Sequence, residues 1–330
     1  MQNEQYNKLF LEAESLEVSK QVENLFEQQI KNWPLATGGY SSLASVEVKK
    51  FEFDNFSIEA HFNPGRIISS SAKVDSKSIK ERLCFLCPKN LPADQKAIRL
   101  IGDYLLLVNP FPIFNKHFTI PTSQHTPQQI KTEIENVLTI SSMLGKDYSV
   151  FYNGPKCGAS APDHLHFQAG NFGFMNIDND FAALSKSNGK VIFETNDLRT
   201  SLFSSCLRNF VAVESNNISA IVNEFAKIYS ALSAEDTEEP LMNLICTFEN
   251  VWRLLVFPRS KHRPTFFFEE GEKKILISPA AVDMGGVLIF PREEDFAKVT
   301  RELIVEVFRQ VTFSDIEFQK LADRLTFGKG

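Results

Sequence analysis

Two histidines and a glutamine occupy alternate positions in Asp163-His164-Leu165-His166-Phe167-Gln168. On a β-strand, alternate side chains point to the same face. His164, His166 and Gln168 would then share one face, with Leu165 and Phe167 buried on the other. The chain has six histidines, and two of them are aligned here. Aligned imidazoles suit metal binding and nucleophilic catalysis alike. As a nucleophile, the neutral ring of His166 could attack phosphorus, forming a phosphoramidate stable enough to exist and labile enough to be displaced. Gln168 could then donate an amide N–H to a phosphoryl oxygen. The same spacing also fits two metal ligands on one strand, or two histidines on a wet sheet face.

Upstream, Asn153-Gly154-Pro155-Lys156-Cys157-Gly158-Ala159-Ser160 supplies small residues, a hydroxyl and a cation. Such a loop can bring backbone N–H groups close to phosphates. Lys156 would add a point charge. Gly158 and Ser160 place a Gly-x-Ser just before the histidines.

Cys84 and Cys87 have the spacing that lets one turn present two thiolates to one ion. Zinc accepts histidine readily, and His125 and His164 are the candidates to complete a closed, structural site. His117 is the rival to His125 and is expected to be a solvent-facing histidine at a strand start. His61 and His262 are expected to be surface or satisfied core histidines.

These groups need elements to hold them. Residues 4–32 carry a helical apolar stripe ended by Pro34, and 46–62 alternate as strands. Residues 97–108, 117–121 and 148–153 also read as strands. Thr126 is expected to cap a helix whose first position is Pro127. In the second half, Trp252 to Pro258 echoes Tyr104 to Pro110. Gly286 to Pro291, with a helix near 294–310, echoes His117 to Pro121 and its helix. If this is a repeat, the second copy lacks His-x-His and is catalytically silent. The boundary is expected between 170 and 215, where Asn, Asp and Ser are frequent.

The chain has 330 residues, 43% hydrophobic and 23% charged, with a net charge of −6. That is ordinary for a globular protein, and its 30 phenylalanines imply an aromatic core. Without a basic tract, wholesale nucleic-acid backbone binding is not expected. No leader pattern and no stretch of about 18 uncharged apolar residues is visible. Five cysteines, an odd number, argue for reduced thiols in a cytoplasm.

At these residues the chain resembles the histidine-triad superfamily, in its galactose-1-phosphate uridylyltransferase, diadenosine tetraphosphate phosphorylase and GDP-hexose phosphorylase branch. Tyr152-Asn153-Gly154-Pro155, Gly158-Ala159-Ser160 and His164-Leu165-His166-Phe167-Gln168 are similar to the phosphorylases' motifs. Cys84-Phe85-Leu86-Cys87, His125 and His164 are similar to the uridylyltransferases' zinc ligands. Asn243-Leu244, Trp252, Phe257-Pro258-Arg259 and Asp283-Met284-Gly285-Gly286 resemble the phosphorylases' C-terminal half. Two departures separate the branches. Leu165 stands where uridylyltransferases carry proline, and the Cys-x-x-Cys pair is not a diadenosine phosphorylase feature.

The resemblance implies that His166 carries a nucleoside monophosphate and that Gln168 and Ser160 touch phosphate. It places Asn109 and Asn153 near ribose or phosphates, and Arg66 near the substrate. The fold expected is α+β and histidine-triad-like: two tandem antiparallel-sheet-plus-helix halves fused in one unit. The lead-in would span 1–50, the catalytic half 51–175 and the second half 176–330. The function expected is a nucleotidyltransferase or phosphorylase acting on a nucleoside-diphosphate sugar or dinucleoside polyphosphate, with inorganic phosphate or a sugar phosphate as acceptor. A structural zinc is expected, with no nucleic-acid or membrane partner, and a homodimer stays open. The alternative is a non-catalytic nucleotide-binding protein or a zinc-stabilised scaffold.

Overall fold

The computed structural model describes residues 9–10, 17–67, 75–233 and 239–327. The part of the 4–32 helix expectation that falls on residues 4–8 and 11–16 lies outside them. The described helix, α1, is Val18–Asn32. It buries Val22, Leu25 and Gln29 and ends just before Pro34.

Ten strands make one antiparallel sheet. The first five are β3 (Ala97–Arg99), β4 (Leu105–Val108), β5 (His117–Pro121), β6 (Tyr148–Asn153) and β7 (His166–Asn171). The second five are β8 (Gly189–Glu194), β9 (Leu198–Phe203), β10 (Phe210–Ser215), β11 (Met242–Glu249) and β12 (Val251–Pro258). Their order is β3-β4-β5-β7-β6-β11-β12-β10-β9-β8. Read inward from each edge, both groups of five have the same connectivity. Helix α2 (Ile134–Leu144) links β5 to β6, and α4 (Ile218–Leu232) links β10 to β11. Between the groups lies α3 (Asn176–Ser187). The halves meet where β6 pairs with β11, from Asn153 opposite Asn243 to Val150 opposite Cys246. The fold is therefore the α+β tandem arrangement expected.

The echoes noted in the sequence do not mark that repeat. Trp252 to Pro258 forms β12, which occupies the place of β7, not of β4. Val287–Phe290 is β13, which pairs in parallel with β2 (Ser57–Phe62) in a separate sheet of order β1-β2-β13, where β1 is Glu47–Glu52. Short apolar runs ending in proline recur wherever a strand is buried, so they do not identify equivalent strands.

The large sheet is buried on both faces, and side-chain alternation sorts its residues. Val150, Tyr152, Phe167 and Ala169 pack beneath α1, α2, α4 and α6 (Asp315–Phe327). Phe151, Ala212, Ile245 and Leu255 pack on the opposite face against β2, β13 and α5 (Arg301–Val311). Phe167 is fully buried and stacks on Tyr104 at 5.1 Å, and its burial stabilises the fold by about 1.5–3 kcal/mol.

The helix expected from Pro127 starts only at Ile134. Its predicted first turn is bonded elsewhere: Leu165 N–H donates to Thr126 O at 2.7 Å, and Gln128 N–H donates to Pro162 O at 3.3 Å. Backbone already committed to the histidine segment cannot also close a helical turn. Among the described residues, no helix is long and apolar enough to cross a membrane.

Candidate active site and metal centre

Because Leu165, Phe167 and Ala169 belong to the core under the helices, His166 and Gln168 project from the other face of the sheet. There they line a cavity of about 690 Å³, a volume suited to a small organic ligand. Gly158, Ser160, Asn153, Asn109 and Arg66 line it too. Lys156 is exposed and is not among the residues that line it. The cavity wall also carries Arg82 and Arg263. Asp283 is a carboxylate in the same wall, and both its oxygens are engaged by the Ala280 and Ile289 N–H groups. The guanidinium excess favours an anionic ligand.

The ring of His166 is buried, and its Nδ1 lies 2.8 Å from the His164 carbonyl oxygen. A carbonyl only accepts, so Nδ1 carries the proton and Nε2 keeps its lone pair. Among the described residues Nε2 has no hydrogen-bond partner. Burial pulls the His166 pKa down to about 4, which keeps the imidazole neutral at neutral pH.

Gln168 is oriented by a residue whose expected placement was wrong. His117 is fully buried, not solvent-facing. Its Nδ1 accepts from the Ile113 N–H at 3.2 Å, so its Nε2–H must donate to Gln168 Oε1, 3.0 Å away. Burial and then the charge of Arg66 lower its pKa to about 3, which fixes this neutral form. The Gln168 N–H₂ group is left as the donor for the cavity. In the sequence, only the alternation of His117 with Phe118 and Ile120 hinted at this face; the pairing of β5 with β7 was needed to see the contact. His117→Leu should free Gln168 to flip and lower turnover about 10–100-fold with the fold retained. Steady-state kinetics beside a melting curve checks this, and unchanged turnover would refute it.

The glycine loop is clamped by the second half. Asn153 Oδ1 accepts from Asn243 Nδ2 at 2.9 Å and from the Ala281 N–H at 2.8 Å. Asn243 Nδ2 also donates to Cys157 O at 2.8 Å, and buried Arg259 donates to Asn243 Oδ1 at 2.6 Å. Asn153 thus spends its carboxamide oxygen on joining the halves. Gly158 has φ +97°, and a Cβ there would lie 2.5 Å from Ala280 Cβ, so glycine is required. Asn109 likewise turns inward, accepting from the Phe111 N–H at 2.9 Å and donating to Thr119 Oγ1 at 3.1 Å.

Beside the cavity, Cys84, Cys87, His125 and His164 bring their ligand atoms within 4.8 Å of one another. His164 Nδ1 lies 3.2 Å from Cys84 Sγ and 3.6 Å from Cys87 Sγ, and His125 Nδ1 lies 3.2 Å from Cys87 Sγ. Tetrahedral zinc with Zn–S of about 2.3 Å and Zn–N of about 2.0 Å would set such N···S separations near ~3.5 Å. His164 Nε2 donates to the Thr122 carbonyl at 2.8 Å, which leaves Nδ1 as the ligand atom. Burial raises the Cys84 thiol, but the bond to His164 and nearby amides outweigh it and bring it to about 6. Burial and then Cys84 push Cys87 up to about 11. The cluster could therefore hold a metal ion. Asp163 ties it to the cavity: it lies 3.7 Å from His125 Nε2 and bonds Arg82 at 2.5 Å.

Residues 189–327 match the family model described as GDPGP1-like, C-terminal domain, and residues 25–171 match a domain of unknown function (DUF4922). The yeast Ap4A phosphorylase Apa2 crystal structure superposes with a TM-score of 0.58 at 16% identity, covering 90% of this chain and 94% of that one. Its complex with Ap4A gives 0.57 at 16% identity, covering 90% and 97%. At that identity these likenesses show a shared fold. The His-x-His-x-Gln strand stands at the cavity, one histidine turned to the Cys-x-x-Cys cluster and the next to the open space. No curated protein sequence matches the chain. Arg82 and Arg263 are cavity residues that motif reading passed over, since neither stands in a recognisable pattern.

Proposed function

We propose that the protein is a nucleotidyltransferase or phosphorylase that works through a covalent nucleotidyl–His166 intermediate. The observation that carries this is the His166 ring: Nδ1 pinned to a carbonyl, Nε2 bare, in a cavity shared with Gln168 and Ser160. The donor is a nucleoside-diphosphate sugar or dinucleoside polyphosphate. Likeness to a phosphorylase crystallised with Ap4A and with AMP supports a nucleotide as the ligand.

His166 Nε2 attacks the α-phosphorus. A P–N bond forms as the P–O bond to the leaving sugar phosphate or nucleotide breaks, and that oxygen takes the electron pair. Inorganic phosphate or a sugar phosphate then attacks the same phosphorus. The P–N bond breaks, and its electrons return to Nε2. The amide of Gln168, Ser160 and loop N–H groups are placed to bind the equatorial oxygens, the preorganised donor array that carries much of such catalysis. Zinc held by Cys84, Cys87, His125 and His164 would be structural, fixing the wall that includes Phe85 and Arg82.

Intact-mass spectrometry after mixing with UDP-glucose, GDP-glucose, GDP-mannose, ADP-glucose or diadenosine tetraphosphate should show a nucleotidyl adduct that inorganic phosphate discharges. No adduct with any of them would refute the reading.

The acid limb of adduct formation should lie near pH 4, not at the ordinary histidine value of about 6.5. A pKa depressed by burial means that the unfolded chain binds the proton more readily. His166 therefore disfavours the fold as pH falls from about 6.5 through about 4, while the nucleophile stays deprotonated across that window. A limb at or above 6.5 would show the ring to be solvated.

A further inference from the structure

Gln128 is buried with no regular element around it. The β6–β7 register sets Tyr148 opposite Asn171 and Phe151 opposite Gln168, which puts Asn153 opposite His166. The ladder of paired residues ends at Phe151 and Gln168. Beyond it the Gln128 side chain stands between the strands. Its Nε2 donates to Asn153 O at 2.9 Å and to His166 O at 3.0 Å, and its Oε1 accepts the His166 N–H at 2.8 Å. Both amide hydrogens and the carbonyl are used.

We propose that Gln128 is a positioning residue: an amide wedge that parts β6 from β7 at the nucleophile and fixes the His166 backbone from both sides. The catalytic part of this assignment rests on the nucleotidyl-transfer reading above. With Nδ1 held by the His164 carbonyl, the wedge leaves Nε2 as the remaining polar atom of His166 and aims it at the cavity. The same amide holds Asn153, the first residue of the glycine loop, so nucleophile and loop share one reference point. The wedge also accords with residues 126–128 forming no helix, since their backbone is bonded to Leu165 and Pro162 beside the strand.

The wedge needs two donors and an acceptor at one tip, which among side chains of this length only glutamine supplies. Gln128→Met fills the volume but leaves two carbonyls and one N–H without partners. Gln128→Glu keeps the shape but, when ionised, sets a carboxylate against two carbonyls. In Gln128→Glu, nucleotidyl-adduct formation should slow about 100-fold, the effect of misplacing a reacting group by about an ångström. The donor concentration for half-maximal rate should stay within about threefold, because the cavity wall is intact.

Nitrogen NMR of the His166 ring and exchange of its amide give a readout that needs no nucleotide. The wild type should show protonated Nδ1, bare Nε2 and a slowly exchanging amide at neutral pH. The Gln128→Glu protein should show faster amide exchange. Rapid exchange of the His166 amide in the wild type, or adduct formation within threefold of wild type in Gln128→Glu, overturns the proposal. If Gln128→Met does not fold, Gln128→Glu and the wild-type spectra still decide. Absence of any adduct in the wild type would sink the transferase reading, while the ring and amide signals would still decide the wedge.

Discussion

Substituting His166 with alanine should abolish the nucleotidyl adduct and reduce turnover by a factor on the order of 10⁴ or more. The melting temperature should fall by only a few degrees. The bonds that fix this position on its strand run from Gln128 to backbone atoms, and alanine keeps them. What is lost is the ring, with its bond to the His164 carbonyl and its packing at the cavity edge. One hydrogen bond and a half-lined site amount to about 1–2 kcal/mol. For a chain of this size each kcal/mol is roughly 1–2 °C. Mass spectrometry and calorimetry on the same preparation separate the two effects. An adduct that survives in His166→Ala would assign the nucleophile elsewhere, and a collapse in melting temperature would make the residue structural.

The His-x-His-x-Gln strand was legible in the sequence because its period of two is local. His166 and Gln168 on one face and Leu165 and Phe167 on the other follow from pleating alone. The Cys-x-x-Cys turn was legible for the same reason, and His164 and His125 were found because a closed metal site needs four ligands. Three features were not. The orientation of Gln168 depends on a buried histidine 51 positions away, through a register that no local pattern encodes. The Pro127 signal was overridden because the backbone of 126–128 pairs with the histidine segment. Asn153 looked like a ligand-binding amide, yet its oxygen serves the joint between the halves, a contact made across 90 residues to Asn243. The tandem halves followed from the resemblance, but the strands equivalent between them were not legible in the sequence. The two halves share strand order and helix placement, which are properties of topology, while the residues on equivalent strands have diverged.

Removing the metal site should cost more stability than removing the nucleophile. Cys84, Leu86, Cys87 and Ala161 form a small apolar cluster of their own, separate from the two large cores. Four such residues cannot bury enough surface to hold a turn, so the cluster needs a cross-link, and an ion shared by Cys84, Cys87, His125 and His164 would supply it. A metal present at a thousand times its dissociation constant adds about 4 kcal/mol, or roughly 6 °C for a protein of this size. Cys84→Ala should therefore lower the melting temperature by about 6 °C, and elemental analysis should fall from about one zinc per chain to none. His125→Ala should cost less, because its side chain is 46% exposed at the rim whereas Cys84 and His164 are buried. It should still blunt activity, since Asp163 sits between His125 and Arg82 of the cavity wall. A purified chain free of metal, melting at the same temperature as Cys84→Ala, would show that the four side chains assemble without an ion. The wall behind His166 would then be held by Arg82, Asp163 and packing alone.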